Sequence, residues 1–181
     1  MTILVDMDDV LEDFIEGFVD FVNKRHGTSV TPEDIREWDM TKAFKTIPKE
    51  KLYSAEFEED IWNNVKPKKG APETLKKLID EGHRVYVVTA TYYQSLRAKM
   101  DNVLFRYFPY LKWEDVIITF NKQMIKGDVL IDDGPHNLIG GDYKKILFDS
   151  YHNKNFDESS IGAVRAYDWD DIYRLIKEMS E

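Results

Sequence analysis

Six short runs rich in Val and Ile, "TILVDM", "RVYVVTA", "DVIIT", "DVLID", "KKILFD" and "AVRAY", are set between stretches of helical periodicity. Short β-branched apolar runs suit strands buried in a parallel sheet, and their alternation with helices restricts the chain to the α/β class with a doubly wound sheet. The first helix is expected from Val10, carried by Phe14, Ile15, Phe18, Phe21 and Val22 and stopped by Gly27. Others are expected from Pro72 to Glu81 before Gly82, from about Gln94 to Phe108 before Pro109, and from Asp168, whose side chain is placed to cap it. Residues 28 to 65 break the alternation. They carry Trp38, Phe44, Tyr53, Phe57 and Trp62 but no strand pattern, and "KPKKGAP" closes them. The organisation predicted is a core of residues 1–12 and 66–181 with a small helical cap, 13–65, inserted after the first strand. A chain of 181 residues suits one such domain.

A parallel sheet of this kind receives its ligand at the carboxyl ends of its strands. Those ends carry Asp6 and Asp8, then Thr89, then Lys122 a few residues past a strand, then Asp132 and Asp133. Close carboxylates repel and are costly to desolvate, so a folded chain keeps such a group with a cation, a shared proton or a task. Acids from two strands can hold Mg2+ through oxygen ligands. The Thr89 hydroxyl and the Lys122 ammonium suit the oxygens of a phosphate. One carboxylate is then free to attack: Asp6 as nucleophile on phosphorus, with Asp8 protonating the leaving oxygen and later activating water.

Charge and composition narrow the partners. The net charge of -9 opposes nonspecific binding to a nucleic acid polymer or an anionic membrane, so an anionic ligand needs a local cationic site. The absence of cysteine removes disulfides and thiolate metal sites. Met1 runs straight into an apolar strand with no charged leader, and no apolar run is long enough to span a bilayer, so a cytoplasmic location is expected.

Through "DMDDV", the Thr89 strand end, Lys122 and "LIDD", the chain resembles the haloacid dehalogenase superfamily of phosphohydrolases. More narrowly, "LVDMDDVLEDF", "KQMIKGDVLIDDGP" and "ILFDSYHN" are similar to the 5'(3')-deoxyribonucleotidases. The resemblance implies a Mg2+-dependent phosphomonoesterase acting on a small phosphate monoester, a deoxyribonucleotide, through an aspartyl phosphate. It implies Asp6 as nucleophile, Asp8 as acid/base, and a metal held by Asp6, the main-chain carbonyl of Asp8, and Asp133, with Asp132 in support. Thr89, Ala90 and Lys122 would surround the phosphate. Three positions depart from the family pattern: Asp9 replaces a glycine, "TAT" replaces "TSP" so that Ala90 offers no hydroxyl, and Phe120 replaces an arginine.

Several acids, histidines and aromatics have plainer readings. Asp9 suits the start of a helix, where a carboxylate meets the dipole and free amides. Val10 and Leu11 occupy places where a calcium loop of the helix-loop-helix type needs an oxygen ligand and a glycine. The four histidines are scattered, and His152 with Asn153 is placed to brace the "LIDD" loop. Among the lid aromatics Phe14 and Trp62 are the expected substrate contacts, ahead of Trp38, Phe44 and Tyr53. "KPKK" and "EFEED" read as solvated charged surface. A phospho-accepting receiver domain shares the acids, the Thr and the Lys, but places its phosphorylated Asp in mid-domain. A phosphatase of the same superfamily acting on a sugar phosphate or phosphoserine shares the whole set.

Overall fold

The computed structural model describes residues 1–180. Six strands, β1 (Thr2–Val5), β2 (Arg84–Thr89), β3 (Val116–Ile118), β4 (Val129–Asp132), β5 (Lys144–Phe148) and β6 (Ala163–Ala166), form one sheet in the order β3-β2-β1-β4-β5-β6. Every pairing is parallel. The α/β class with a parallel sheet, expected from the alternation, is thus present. The strand order reverses beside β1, and β1 and β4 are neighbours there. This places the acids of two distant segments at one end of adjacent strands.

Alternate residues face opposite sides of the sheet. Ile3, Val5, Val87, Ile131 and Phe148 share a large core with the helices, whereas Leu4, Val88, Leu130 and Leu147 form a smaller cluster with Leu138 and Ala163. The helices are α1 (Phe14–His26), α2 (Lys49–Tyr53), α3 (Glu59–Asn64), α4 (Ala71–Asp80), α5 (Tyr93–Lys99), α6 (Phe105–Tyr107) and α7 (Trp169–Ser180). The wider π turn Met100–Leu104 joins α5 to α6. Asp168 caps the start of α7 by accepting the Asp171 N–H at 2.8 Å.

One boundary differs from expectation. Helix α1 begins at Phe14, not Val10, because Val10, Leu11 and Glu12 all donate their N–H groups to the Met7 carbonyl in a compact turn. Asp9 sits in that turn at φ 55, a left-handed conformation that favours glycine. That conformation supplies a physical reason for the family glycine at this position. Its carboxylate accepts the Ile15 N–H at 3.2 Å, so Asp9 serves the start of α1. Gly27, at φ 65, ends α1 as expected.

Between α1 and α4 lie α2, α3 and three 3-10 turns, with no strand. The chain enters and leaves this region at one place. The Asp13 N–H donates to the Lys66 carbonyl at 2.8 Å, the Lys68 N–H donates to the Leu11 carbonyl at 2.9 Å, and Glu12 bridges Pro67.

Candidate active site

Asp6 lies one residue beyond β1, and its N–H donates to the Ile131 carbonyl of β4 at 2.9 Å, which carries the strand pairing up to the acids. Lys122 comes from the 3-10 turn Lys122–Met124 that follows β3. Its ammonium is 2.6 Å from Asp6 Oδ1 and 2.6 Å from Asp132 Oδ2, and the residue is 2% exposed. Burial alone would depress the Lys122 pKa, but Asp132 and Asp6 more than offset it and hold the group charged. Asp132 is fully engaged, because its other oxygen accepts the Gly134 N–H at 2.8 Å and Asn137 Nδ2 at 2.9 Å.

Asp133 is different. It is buried, its Oδ1 has no hydrogen-bond partner, and burial followed by Asp132 and Asp6 pushes its pKa well above the usual carboxylate range. Burial likewise raises Asp6 to about 7, although Lys122 opposes the shift. One carboxylate oxygen from each of Asp6, Asp132 and Asp133 falls within 4.8 Å of the others. This cluster can hold a metal ion, and the free Oδ1 of Asp133 fits that role while the saturated Asp132 does not. The loop is braced from behind: Asn153 Nδ2 donates to the Asp133 carbonyl at 2.8 Å, and Arg165 holds Asn153 Oδ1 at 2.9 Å. His152 Nε2 lies 3.4 Å from Asp133 Oδ2, but burial lowers its pKa to about 4 and keeps the ring neutral.

Asp8 faces a second buried group. Its Oδ2 accepts from Lys99 Nζ at 2.6 Å, and Lys99 also donates to Thr89 Oγ1 at 3.0 Å. Near Asp8 stands Glu12, completely buried, with no hydrogen-bond donor to either oxygen. Burial and the neighbouring Asp8 push the Glu12 pKa well above its ordinary value, and the neutral acid supplies a hydrogen bond to Asp8.

A cavity of about 420 Å3 opens over this set, lined by Asp6, Asp8, Asp9, Ala90, Lys122 and Asp133 at its base and by Phe14, Ile15, Ile35 and Met40 on one wall. Trp38 lies edge-on to His136 and His152, with centroids 4.6 and 5.0 Å apart, while Tyr92 meets Phe57 and Phe120 at 5.5 and 5.6 Å. Tyr53 and Phe120 also line the cavity. Phe44 does not, being buried against Phe18.

Of the residues singled out for substrate, Phe14 reaches the cavity and Trp62 does not. Trp62 is buried behind Phe14, stacked on it at 5.6 Å, with its indole N–H donating to the Glu56 carbonyl at 3.0 Å. Thr89 is also buried beneath the lining. Two charged runs are not simply solvated. Glu56 of "EFEED" lines the cavity, and burial, with Asp8 next in effect, raises its pKa to about 7. Lys68 of "KPKK" pairs with Asp13 at 2.6 Å and approaches Asp9 at 4.0 Å. Lys99 had a readable signal: it shares a helical face with the buried Ser95, Met100 and Val103, where a lysine needs a partner. Glu12 had none, since nothing in "LED" distinguishes a buried acid from a solvated one.

The sequence profile described as "5' nucleotidase, deoxy (Pyrimidine), cytosolic type C protein" matches residues 1–180. A 5'(3')-deoxyribonucleotidase of Bacillus subtilis (strain 168) is 34% identical over 176 residues, covering 96% of this chain and 97% of that protein. One from Clostridium acetobutylicum is 29% identical over 180 residues, covering 99% and 97%. Among solved structures, a haloacid dehalogenase family hydrolase from Deinococcus radiodurans, with bound phosphate and sodium, matches with a TM-score of 0.68 at 15% identity, covering 99% of this chain and 96% of that one.

Proposed function

The chain belongs to the deoxy (pyrimidine) 5'-nucleotidases of cytosolic type C, a family of phosphate-ester hydrolases, and from that premise we propose that it is a Mg2+-dependent phosphomonoesterase of deoxyribonucleoside monophosphates. Asp6 attacks phosphorus and forms an aspartyl phosphate, while Asp8 gives its proton to the departing sugar oxygen. Asp8 then takes a proton from the water that attacks the aspartyl phosphate, and inorganic phosphate leaves. Lys122 neutralises the nucleophile's surroundings and the charge gathering on the phosphate oxygens. Asp6, Asp133 and the main-chain carbonyl of Asp8 would hold Mg2+, which when bound screens the phosphate from these carboxylates and polarises it. In this reading residues 13–65 are a cap whose two connections meet at Glu12 and Pro67, so that it closes over the core as a unit.

The observation that carries the substrate class is the charge around the cavity. Lys122 is the one Lys or Arg among its lining residues, and it is already engaged by Asp6 and Asp132. Above the aspartates at its base the wall is mostly aromatic and apolar, with Glu37, Glu56 and Asn137 and with His136 and His152, both depressed in pKa by burial. A leaving group carrying a second phosphate or a carboxylate finds no cation there, whereas an uncharged nucleoside finds aromatic surface. This favours a nucleotide over phosphoserine. It also favours deoxyribose, because a 2'-hydroxyl packed against Phe14 would lose water without gaining a partner, at about 1 to 3 kcal/mol.

The test is paired kinetics on dUMP, dTMP, UMP, sugar phosphates and phosphoserine at saturating Mg2+ and one pH. The expected result is the highest kcat/KM for pyrimidine deoxyribonucleotides, roughly tenfold to a hundredfold over UMP. Preference for phosphoserine or a sugar phosphate would defeat the nucleotidase reading and leave the phosphatase mechanism standing.

A further inference from the structure

Lys99 is 1% exposed and does not line the cavity, yet it touches Asp8, which does. Its ammonium is 2.6 Å from Asp8 Oδ2 and 3.0 Å from Thr89 Oγ1. Asp8 follows β1 and Thr89 ends β2, so one side chain at the end of α5 ties together the ends of two adjacent strands. Trp62 closes the space on another side, with Nζ 5.4 Å from its ring.

The chemistry of the donor sets the direction of each bond. An ammonium has three donors and no lone pair, so Thr89 Oγ1 must accept from Lys99. Thr89 thereby fixes the ammonium against the end of β2. Asp8 is held through Oδ2 on Lys99, while its Oδ1 is buried. A carboxylate that serves first as acid and then as base gains from being kept in one rotamer, because proton transfer requires hydrogen-bond geometry at the leaving oxygen.

We infer that Lys99 is a positioning residue for this reaction, orienting the acid/base carboxylate of Asp8 with one buried ammonium that is itself anchored on the Thr89 hydroxyl at the end of β2. The inference rests on the phosphomonoesterase reading. A buried lysine that is merely satisfied by a half-buried aspartate would support folding, and its loss would slow every substrate alike. A positioning lysine acts where protonation of the leaving group matters. A deoxynucleotide leaves as an alcohol that needs a proton, whereas p-nitrophenolate leaves without one.

The experiment is single-turnover release from Lys99→Met with enzyme in excess and Mg2+ saturating, following nucleoside from dUMP and p-nitrophenol from its phosphate. Nucleoside release is expected to fall by roughly a hundredfold and p-nitrophenol release by less than about fivefold, in line with the usual size of general acid catalysis. Equal losses on both substrates, a larger loss on the aryl ester, or no loss on either would overturn the inference. If Lys99→Met fails to fold, Lys99→Gln, which keeps a neutral donor at similar length, is read by the same ratio and the same outcomes. The wild-type arm separates the two proposals. Hydrolysis of the aryl ester without release of nucleoside would defeat the nucleotide reading, and the best alkyl phosphate from the panel would then replace dUMP in the Lys99 test.

Discussion

Asp6 and Asp8 stand two residues apart in different surroundings, which matches the different parts proposed for them. Asp6 shares Lys122 with Asp132, so it sits where charge on phosphorus and on the nucleophile is neutralised. Asp8 instead accepts from Lys99 at 2.6 Å, with the buried Glu12 near it. Two substitutions should therefore differ in kind. Asp6→Asn should abolish both turnover and phosphoenzyme, since an amide does not attack phosphorus usefully. Asp8→Asn should still release p-nitrophenol in a first burst and then accumulate phosphoenzyme, because the step that needs a base is the one disabled. Acid-quench trapping of labelled phosphate on the protein reads both outcomes; substantial turnover by Asp6→Asn would remove it from the nucleophile's role.

At the scale of elements, the turn between β1 and α1 is where side chains replace regular backbone pairing. It is held from three directions: Asp9 accepts from the start of α1, Lys68 pairs with Asp13, and the Trp169 indole N–H donates to the Val10 carbonyl at 2.9 Å. Trp169 opens α7, and its buried indole packs on Phe148 of β5, so the C-terminal helix reaches back to the loop that carries the acids. Trp169→Phe keeps most of the apolar volume but leaves that buried carbonyl without its indole donor. It should cost about 1 to 3 kcal/mol in urea unfolding. Replacing the exposed Trp113, which opens a 3-10 turn before β3, should change stability by less than about 0.5 kcal/mol.

Across the whole molecule, four buried acids make the site costly to ionise. Asp6 and Asp9 have pKa values raised to about 7, and Glu12 and Asp133 are raised well above the ordinary range, chiefly by burial. An acid whose folded pKa is raised binds more protons in the folded state, so its penalty grows as pH climbs from the unfolded value to the folded one. His83, His136 and His152 are shifted downward and oppose this trend, but only up to their unfolded value near 6.5. The melting temperature in EDTA should therefore fall between pH 6.5 and pH 8. Added Mg2+ should restore it, more at pH 8 than at pH 6.5, because protons compete for the same carboxylates; at about 100-fold over Kd the gain is about 2.7 kcal/mol. A melting temperature that rises with pH in EDTA, or ignores Mg2+, would count against the buried carboxylate cluster as a metal site.

The sequence by itself determined the α/β class, the places of the six strands, the C-terminal end of α1, the place of α4, and the order of Asp6, Asp8, Thr89, Lys122, Asp132 and Asp133 along the chain. These are legible because strand and helix periodicity are local, and a parallel sheet gathers its strand ends on one side. Tertiary structure decided the rest. It set which oxygens are spent and which are free, so that Asp132 is saturated while Asp133 Oδ1 is open. It brought Lys99 to Asp8 across 91 positions, folded Glu56 of an apparently solvated run into the cavity, and set Trp62 behind Phe14. Periodicity assigns a residue to a face of its own element. What that face meets depends on packing between segments far apart in the chain, and the charge state of a buried group depends in turn on what it meets.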